Sequence, residues 1–254
     1  MSQIVSTATR SQPERLRIDV WSDVVCPWCY VGLTNLDVAL AEFEHADKID
    51  VVLHSYELDP GAPVRDDQPV SVHIAKKYGI SIEQAEASQA RIRNMGEEVD
   101  IEFNFDLTVR SNTIDAHRLL HLAAEHGLQR ELKTELFEAY FTRGEVVGEH
   151  DTLRQAALAV GLPADVVDQV LDSDLYSDEV RADVSAAREM GISGVPFFLL
   201  DGDLGFGGAQ PPDRMLQALQ RVWAERRPEP AGLLDDLVSD ADACGPDGCE
   251  VPGS

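Results

Sequence analysis

The sequence carries little positive charge and no long apolar run. Its 254 residues include 46 acidic side chains against 21 basic ones, and the formal net charge is −25. Nucleic acid and anionic lipid are bound through basic patches, so this balance argues against both as partners. No stretch of about 18 residues is free of charge, as a transmembrane helix would require. We therefore expect a protein that binds neither nucleic acid nor membrane.

Targeting features and cysteines are also scarce. Residues 1–13 contain neither an apolar core nor a small-residue cleavage site, so we expect no secretory signal and a cytoplasmic location. The only cysteines stand at positions 26, 29, 244 and 249. In a reducing cytoplasm, cysteine pairs are more often catalytic or metal-binding than structural. The 44% of hydrophobic residues is ordinary for a globular protein, so a core can form without disulfides.

Apolar periodicity predicts a β-α-β unit near the start of the chain. Residues 16–21 and 49–56 alternate with period two, which is typical of strands. Between them, Cys29, Leu33 and the apolar residues that follow recur at helical spacing. Pro27 suits the first position of this helix, where a missing N–H costs nothing. A helical crossover of this length implies that the two strands are parallel.

The following segment, residues 59–190, shows helical spacing and no strand signal. A capping box at Ser81 and Gln84 marks one helix start, and Ser111 or Asn112 caps another. Strand signals return at residues 195–200 and 204–206, before a last helix. Asp201-Gly202 between these strands predicts a type I′ hairpin turn, because both residues tolerate positive φ. The order is thus β-α-β, helical insertion, β-β-α, which is an α/β arrangement.

The pair Cys26 and Cys29 is the strongest chemical signal. The thiolate is the reactive form of cysteine, and a helix N-terminus stabilises it. Cys26 lies at the predicted helix start, so we expect it to be exposed and its pKa to be lowered. Cys29 begins the apolar stripe and should be more buried. This asymmetry suits dithiol exchange, in which Cys26 attacks a disulfide and Cys29 resolves the mixed disulfide. The alternative is two ordinary buried cysteines.

Several motifs carry a family resemblance that covers about residues 16–227. The stretch from Ser22 to Tyr30 resembles the signature of the FrnE-like branch of the DsbA family, which is related to 2-hydroxychromene-2-carboxylate isomerases. Three further stretches are similar to that branch: Asn112-Thr113 with Ala116-His117-Arg118-Leu119, Gly194-Val195-Pro196-Phe197-Phe198, and Phe206-Gly207-Gly208-Ala209-Gln210-Pro211. The resemblance implies a thioredoxin-like fold interrupted by a helical insertion. The predicted segments are a disordered leader (1–15), a thioredoxin-like domain (16–58 and 191–227), an inserted helical subdomain (59–190) and a flexible acidic tail (228–254).

The resemblance also implies roles for particular residues. The family proline that matches Pro196 is cis and lies beside the dithiol, and the backbone at Val195 would pair with an extended substrate. We also predict substrate contact at Trp28, between the two cysteines. Asn112 and His117 match positions that line the cleft. Without the family, Pro196 is a strand-start proline, Asn112 a helix cap and His117 a half-buried helical histidine.

One position departs from the thioredoxin pattern. Such proteins often carry a buried acid on the first strand, six residues before the first cysteine, and here that residue is Val20. Asp23, His54 or Glu57 are the alternatives for moving protons. Each of them is also explained as an ordinary surface or strand residue, so the proton path stays open.

Cys244 and Cys249 form a second pair in the acidic tail. They enclose Gly-Pro-Asp-Gly, which are turn formers, and a disulfide across this turn is sterically reasonable. A flexible chain between residues 227 and 244 spans roughly 23 Å, so reach to the first pair is no obstacle. Some FrnE-like proteins carry a similar pair, which supports the hypothesis of exchange with Cys26 and Cys29. An inert tail, or four thiolates holding zinc, are the alternatives.

We predict a cytoplasmic thiol:disulfide oxidoreductase or isomerase that needs no cofactor and no metal. Its expected partners are protein thiols and disulfides, with glutathione left open. The alternative is a glutathione-dependent isomerase or transferase of the 2-hydroxychromene-2-carboxylate type, whose members typically lack the second cysteine. A non-enzymatic binding module is the third hypothesis. The sequence leaves monomer and homodimer open.

Overall fold

The computed structural model describes residues 15–226, and its centre is a four-stranded mixed sheet in the order β2-β1-β5-β6. The strands of this sheet and of a separate two-stranded ribbon are β1 (Leu16–Ser22), β2 (Ile49–Ser55), β3 (Asp66–Pro69), β4 (Val109–Arg110), β5 (Phe197–Leu200) and β6 (Leu204–Gly207). The helices are α1 (Pro27–Glu42), α2 (Val70–Tyr78), α3 (Ile82–Glu97), α4 (Ile114–Glu125), α5 (Gln129–Phe137), α6 (His150–Ala159), α7 (Ala164–Leu171), α8 (Ser177–Glu189) and α9 (Pro212–Arg226).

Strand β1 is the centre of the sheet. It pairs in parallel with β2, from Leu16 opposite Ile49 to Ser22 opposite Ser55, so the predicted β-α-β unit is confirmed. On its other side β1 pairs antiparallel with β5, which continues through a hairpin into β6. Because β1 lies between two strands and packs one face on the core, Leu16, Ile18 and Val20 are apolar and buried, while Arg17 between them is exposed.

Helix α1 packs tightly against the start of β5. A Cβ added at Gly32 would lie 2.9 Å from the Pro196 ring, closer than side chains normally approach, and 3.4 Å from the Phe198 ring. The missing side chain thus lets the helix reach the loop that leads into β5. On its other face α1 packs against α9, the last helix.

The helices between β2 and β5 share one core with the sheet. A single cluster of buried apolar side chains runs from β1 and α1 into α4, α5, α6 and α7. At its centre the Tyr30 ring stacks on Phe137 at 4.7 Å and meets Phe103 edge-on at 5.8 Å. Helix α5 continues into a π-helical turn at Glu138–Thr142, which widens the helix beside these rings. The segment between β2 and β5 therefore supplies part of the apolar core on which α1 packs.

Local predictions compare with the structure in three ways. The capping box at Ser81 and Gln84 is confirmed, and both of its hydrogen bonds are present. The expected absence of strands between residues 59 and 190 is wrong, because β3 and β4 pair there. These strands are short and polar and lack the alternation that would reveal them. The turn at Asp201-Gly202 has positive φ at both residues, but the loop contains three residues rather than two.

The start of α4 also differs from the prediction. Thr113, rather than Ser111 or Asn112, is the N-cap of α4, and its side chain makes no capping hydrogen bond. The Asn112 side chain nevertheless accepts a hydrogen bond from the Ile114 amide at 2.9 Å.

Within residues 15–226, no helix combines the length and the apolarity needed to traverse a bilayer.

Helix α8 is held to the sheet by a charged cluster around His54. Nδ1 of His54 lies 2.6 Å from Asp183 on α8, and Nε2 lies 2.7 Å from Asp19 on β1. Since both ring nitrogens face carboxylates, both donate, and the imidazole is cationic. Burial alone would lower the pKa of His54, but the hydrogen bonds and charges of the two aspartates raise it from 6.5 to about 9.

We expect Gly32→Val to destabilise the fold by about 1–3 kcal/mol, because the new side chain overlaps the Pro196 ring. Chemical denaturation measures the change. Gly194→Val is the matched control, since a Cβ at Gly194 meets no atom within 4 Å. Equal stability of the two variants would contradict the close packing of α1 on this loop.

We expect His54 to make stability fall in alkaline solution. Its pKa is higher in the folded state than in the unfolded chain, so its contribution is complete below pH 6.5 and is lost as pH rises to about 9. Between pH 6 and pH 9.5, wild type should lose on the order of 2 kcal/mol more free energy of unfolding than His54→Gln, allowing for partial solvent screening. His126→Gln, at an exposed histidine, should behave like wild type. Parallel pH profiles for all three proteins would refute this assignment.

Candidate active site

Cys26 is the N-cap residue of α1, as predicted. Its backbone is extended, with φ −98° and ψ 111°, while its carbonyl already accepts the amides of Cys29 at 3.0 Å and Tyr30 at 3.2 Å. Pro27 occupies the first turn, which contains no acidic side chain. The Cys26 sulfur therefore stands at the positive end of a helix without a competing negative charge in that turn.

The loop before β5 lies directly against this cysteine. The peptide bond between Val195 and Pro196 is cis, and the Cys26 thiol donates to the Val195 carbonyl oxygen at 3.6 Å. The Pro196 carbonyl accepts the Gly208 amide at 2.8 Å, which ties the loop to the strand beyond the hairpin. The structure thus brings together Cys26, Val195 and Pro196. Cys26 and Val195, which share the hydrogen bond, are 169 positions apart in the sequence.

One prediction about Cys26 is wrong. Only 4% of the residue is exposed, whereas the sequence suggested an exposed cysteine. The cause is tertiary, because the loop at Val195 covers the sulfur. Trp28 is 38% exposed and lies in the first turn of α1 beside the dithiol, a position open to a substrate.

Cys29 lies behind Cys26 and is completely buried, as the apolar stripe predicted. Both residues carry free thiols. Burial raises the pKa of the Cys29 thiol well above its ordinary value, and its hydrogen bond with Cys26 raises the pKa further. The inner thiol is therefore hard to ionise.

Asp23 is a buried carboxylate at the turn between β1 and α1. It accepts the Leu58 amide at 2.8 Å through one oxygen and His117 Nε2 at 3.3 Å through the other. Burial alone would raise the pKa of Asp23, but these hydrogen bonds and the nearby charge of Lys133 lower it instead. Of the three residues considered for proton transfer, Asp23 is the one that the structure places beside the dithiol.

His117 is fully buried rather than half-buried, and it contacts Asp23. Its Nε2 also lies 3.2 Å from the Tyr56 carbonyl oxygen. Both neighbours are acceptors, so the hydrogen is assigned to Nε2. Burial lowers the pKa of His117, which indicates a neutral ring. Asn112, by contrast, lies 3.4 Å from the Pro60 carbonyl oxygen and braces that turn.

His54 and Glu57 stand in different surroundings. His54 belongs to the charged cluster that holds α8 to the sheet. Glu57 is partly buried, and both its burial and the negative charge of Asp23 raise its pKa. Val20, at the place of the expected strand acid, is completely buried among apolar residues.

The sequence analysis missed Lys133, a buried lysine on α5. Only 1% of it is exposed, and its Nζ donates to the Ser22 carbonyl oxygen at 3.3 Å. Burial lowers the pKa of Lys133 to about 8, although the negative charges of Cys29, Asp23 and Cys26 act in the opposite direction. Its position offered a signal, because Leu136 and Phe137 follow at helical spacing and place Lys133 on the apolar face of α5.

The second cysteine pair lies outside residues 15–226, so the structure does not describe Cys244 and Cys249. The zinc hypothesis needs both of them. Among the described residues, no group of three or more His, Cys, Asp and Glu side chains could hold a metal ion.

Comparisons with known proteins agree with this geometry. The model of the DSBA-like thioredoxin domain family matches residues 17–220. The chain is 31% identical over 209 residues to the uncharacterized protein YwbO of Bacillus subtilis, covering 80% of this chain and 96% of that protein. It is 41% identical to a probable DsbA oxidoreductase from Streptomyces coelicolor, whose crystal structure has a TM-score of 0.80 and covers 94% of this chain and 100% of its own.

A more distant structure shows the fold alone. The cytosolic disulfide reductase DsbM from Pseudomonas aeruginosa is 19% identical, with a TM-score of 0.57, and covers 82% of this chain and 99% of its own. The α/β thioredoxin-like fold and the resemblance to the DsbA family are confirmed. Since the family model spans most of the sequence and the dithiol lies at its α1, the chain belongs to the family of DSBA-like thioredoxin domains, a family of thiol oxidoreductases.

Proposed function

We propose that this protein exchanges thiols and disulfides with protein substrates, with Cys26 as the attacking and Cys29 as the resolving cysteine. The observation that carries the proposal is the contact between the Cys26 thiol and the Val195 carbonyl oxygen beside cis-Pro196. In this contact the Cys26 thiol, at a helix N-terminus, lies against a backbone edge, which supports its role as the nucleophile. Cys29 lies within the same first turn of α1, within hydrogen-bonding reach of Cys26.

Substrate binding would open the contact at Val195. An extended peptide that hydrogen-bonds to the Val195 backbone takes over the carbonyl that Cys26 now occupies. Its disulfide would then lie against the freed sulfur, while the exposed Trp28 ring offers apolar surface to neighbouring side chains. Binding and exposure of the nucleophile would thus be one event.

The chemistry follows from the order of the two sulfurs. The Cys26 thiolate attacks one sulfur of the substrate disulfide, which releases the other as a thiolate and forms a mixed disulfide. Cys29 then attacks Cys26, the Cys26–Cys29 bond forms, and the second substrate sulfur departs. The substrate gains two electrons and the enzyme dithiol is oxidised. The reverse sequence oxidises a substrate dithiol.

A second candidate is the glutathione-dependent isomerase or transferase on the same fold. A single thiol, or glutathione itself, would suffice for that chemistry. The presence of Cys29 immediately behind Cys26 favours the dithiol reaction. A resolving thiol has no role in the glutathione-dependent isomerisation of a 2-hydroxychromene-2-carboxylate. Glutathione as a small disulfide substrate is compatible with the proposal.

We expect Cys26→Ser to abolish insulin reduction, with a loss of roughly 100-fold or more, because the nucleophile is removed. Cys29→Ser should lose turnover as well but accumulate a mixed disulfide with insulin, visible on non-reducing gels. Both variants are made in a Cys244→Ser/Cys249→Ser background, so that no other thiol contributes. The proposal fails if wild type shows no dithiol activity or if Cys26→Ser keeps it.

The tail cysteines form the last part of the proposal, in which Cys244 and Cys249 exchange with the Cys26–Cys29 pair. Their replacement by serine should then change the rate at which oxidised Cys26–Cys29 is reduced again during turnover. Non-reducing peptide mapping of the two proteins gives the redox state of each pair. Unchanged turnover together with an unchanged state of Cys26–Cys29 would show that the tail pair takes no part.

A further inference from the structure

The resolving step poses a problem of proton transfer. Cys29 reacts only as a thiolate, yet its thiol is completely buried and water does not reach it. Burial also makes this thiol hard to ionise, since its pKa lies well above the ordinary range. A group inside the protein must therefore take the proton, and Val20 stands where an acid was expected.

Lys133 is a buried base that makes fewer hydrogen bonds than its amine allows. Its Nζ can form three hydrogen bonds, and its one protein hydrogen bond within residues 15–226 goes to the Ser22 carbonyl oxygen. Its other close neighbour is the Phe137 ring, with the centroid 5.3 Å away. In the described part of the chain it forms no salt bridge with a carboxylate. An ammonium group in such surroundings is costly, so the neutral amine is accessible near physiological pH.

The groups around Lys133 differ in whether they can accept a proton. They come from the β1–α1 turn, from α1, from α4 and from α5, and comprise Asp23, Cys26, Cys29, His117 and Arg130. The hydrogen bonds from His117 and the Leu58 amide lower the pKa of Asp23, which makes its carboxylate a weak base. His117 directs its Nε2 hydrogen at Asp23, and Arg130 is a cation paired with Asp37. Lys133 Nζ lies against the Ser22 carbonyl and the Phe137 ring, and Phe137 stacks on Tyr30, the residue that follows Cys29. In its neutral form the amine offers a free lone pair in this buried space behind the dithiol.

We propose that Lys133 accepts the proton of Cys29 during resolution and then serves as the counter-charge of the Cys29 thiolate. Thiolate and ammonium are each unfavourable alone in this core, but side by side they stabilise each other. The inference rests on the proposed function, because it assumes that Cys29 resolves a disulfide at Cys26.

The step balances within the site. The Cys29 S–H bond breaks and its proton moves to the Lys133 amine. The Cys29 thiolate forms the bond to Cys26 while the bond between Cys26 and the substrate sulfur breaks, so two enzyme thiols are oxidised and the substrate disulfide is reduced. The substrate sulfur leaves as a thiolate, and the Lys133 ammonium releases its proton to it. In the reverse direction Lys133 protonates the departing Cys29.

The test separates attack from resolution with 5,5′-dithiobis(2-nitrobenzoate). Reduced protein in the Cys244→Ser/Cys249→Ser background releases one thionitrobenzoate when Cys26 attacks and a second when Cys29 resolves. Stopped-flow absorbance gives both rates. Lys133→Met keeps the length and the apolar stem but removes the amine. At pH 7 it should slow the second release at least ~10-fold and leave the first within about twofold, since general base catalysis contributes at this scale.

The pH dependence distinguishes proton transfer from a packing effect. In wild type the second release should rise with pH and level off once the Lys133 amine is free, with its midpoint at about 8. In Lys133→Met it should keep rising without that plateau, because the buried Cys29 thiol must then ionise unaided. Lys76→Met, at an exposed lysine, is the matched control and should follow wild type.

Three outcomes overturn the proposal. They are a second release in Lys133→Met within twofold of wild type, an equal slowing of both releases, and full recovery of the second release by Lys133→Arg, which keeps the charge but accepts no proton. Thermal unfolding of each variant shows whether it is folded. Because this reagent is not a protein, the test is independent of the substrate: failure of insulin reduction with both releases intact refutes the substrate class and leaves Lys133 in place.

Discussion

The two hydrogen-bonded ladders of β1 bring together the segments that surround Cys26. Because β2 is parallel to β1, the segment after β2 begins at the same sheet edge as the turn after β1, and the Leu58 amide reaches Asp23 there. Because β5 is antiparallel to β1, its first residue pairs near the end of β1, with Phe197 opposite Trp21. The loop at Val195 therefore meets the start of α1, where Cys26 stands.

Burial then makes the chemistry of these groups unequal. Cys29 and Lys133 are both removed from water, and burial opposes the charged form of each. Asp23 is equally buried but remains ionised, because the Leu58 amide and His117 donate to it. Of the ionisable groups behind the dithiol, Asp23 comes from the β1–α1 turn, while His117 and Lys133 come from α4 and α5.

Much of the local structure could be predicted from the sequence. Alternating and helical periodicities identified β1, α1 and β2, and Pro27 marked the start of α1. The exposure of Cys26 could not be predicted, because the residue that covers it, Val195, belongs to a distant part of the chain. Lys133 was missed for a related reason. A lysine on an apolar helix face is normally a solvated residue whose stem packs on the core, and only its neighbours show that this one is enclosed.

By itself the sequence determined the spacing of Cys26 and Cys29, the helix on which they lie and the succession of strands and helices on either side of the insertion. These features depend on residues within one or two turns or on the period of apolar side chains, which sequence records directly. Only the tertiary structure decided that His117 contacts Asp23, that the Lys133 amine is buried against the Ser22 carbonyl and that the loop at Val195 covers Cys26. Those contacts join elements that are distant along the chain, and their distances depend on how the helices pack on the sheet. Spacing along the chain carries no record of that packing.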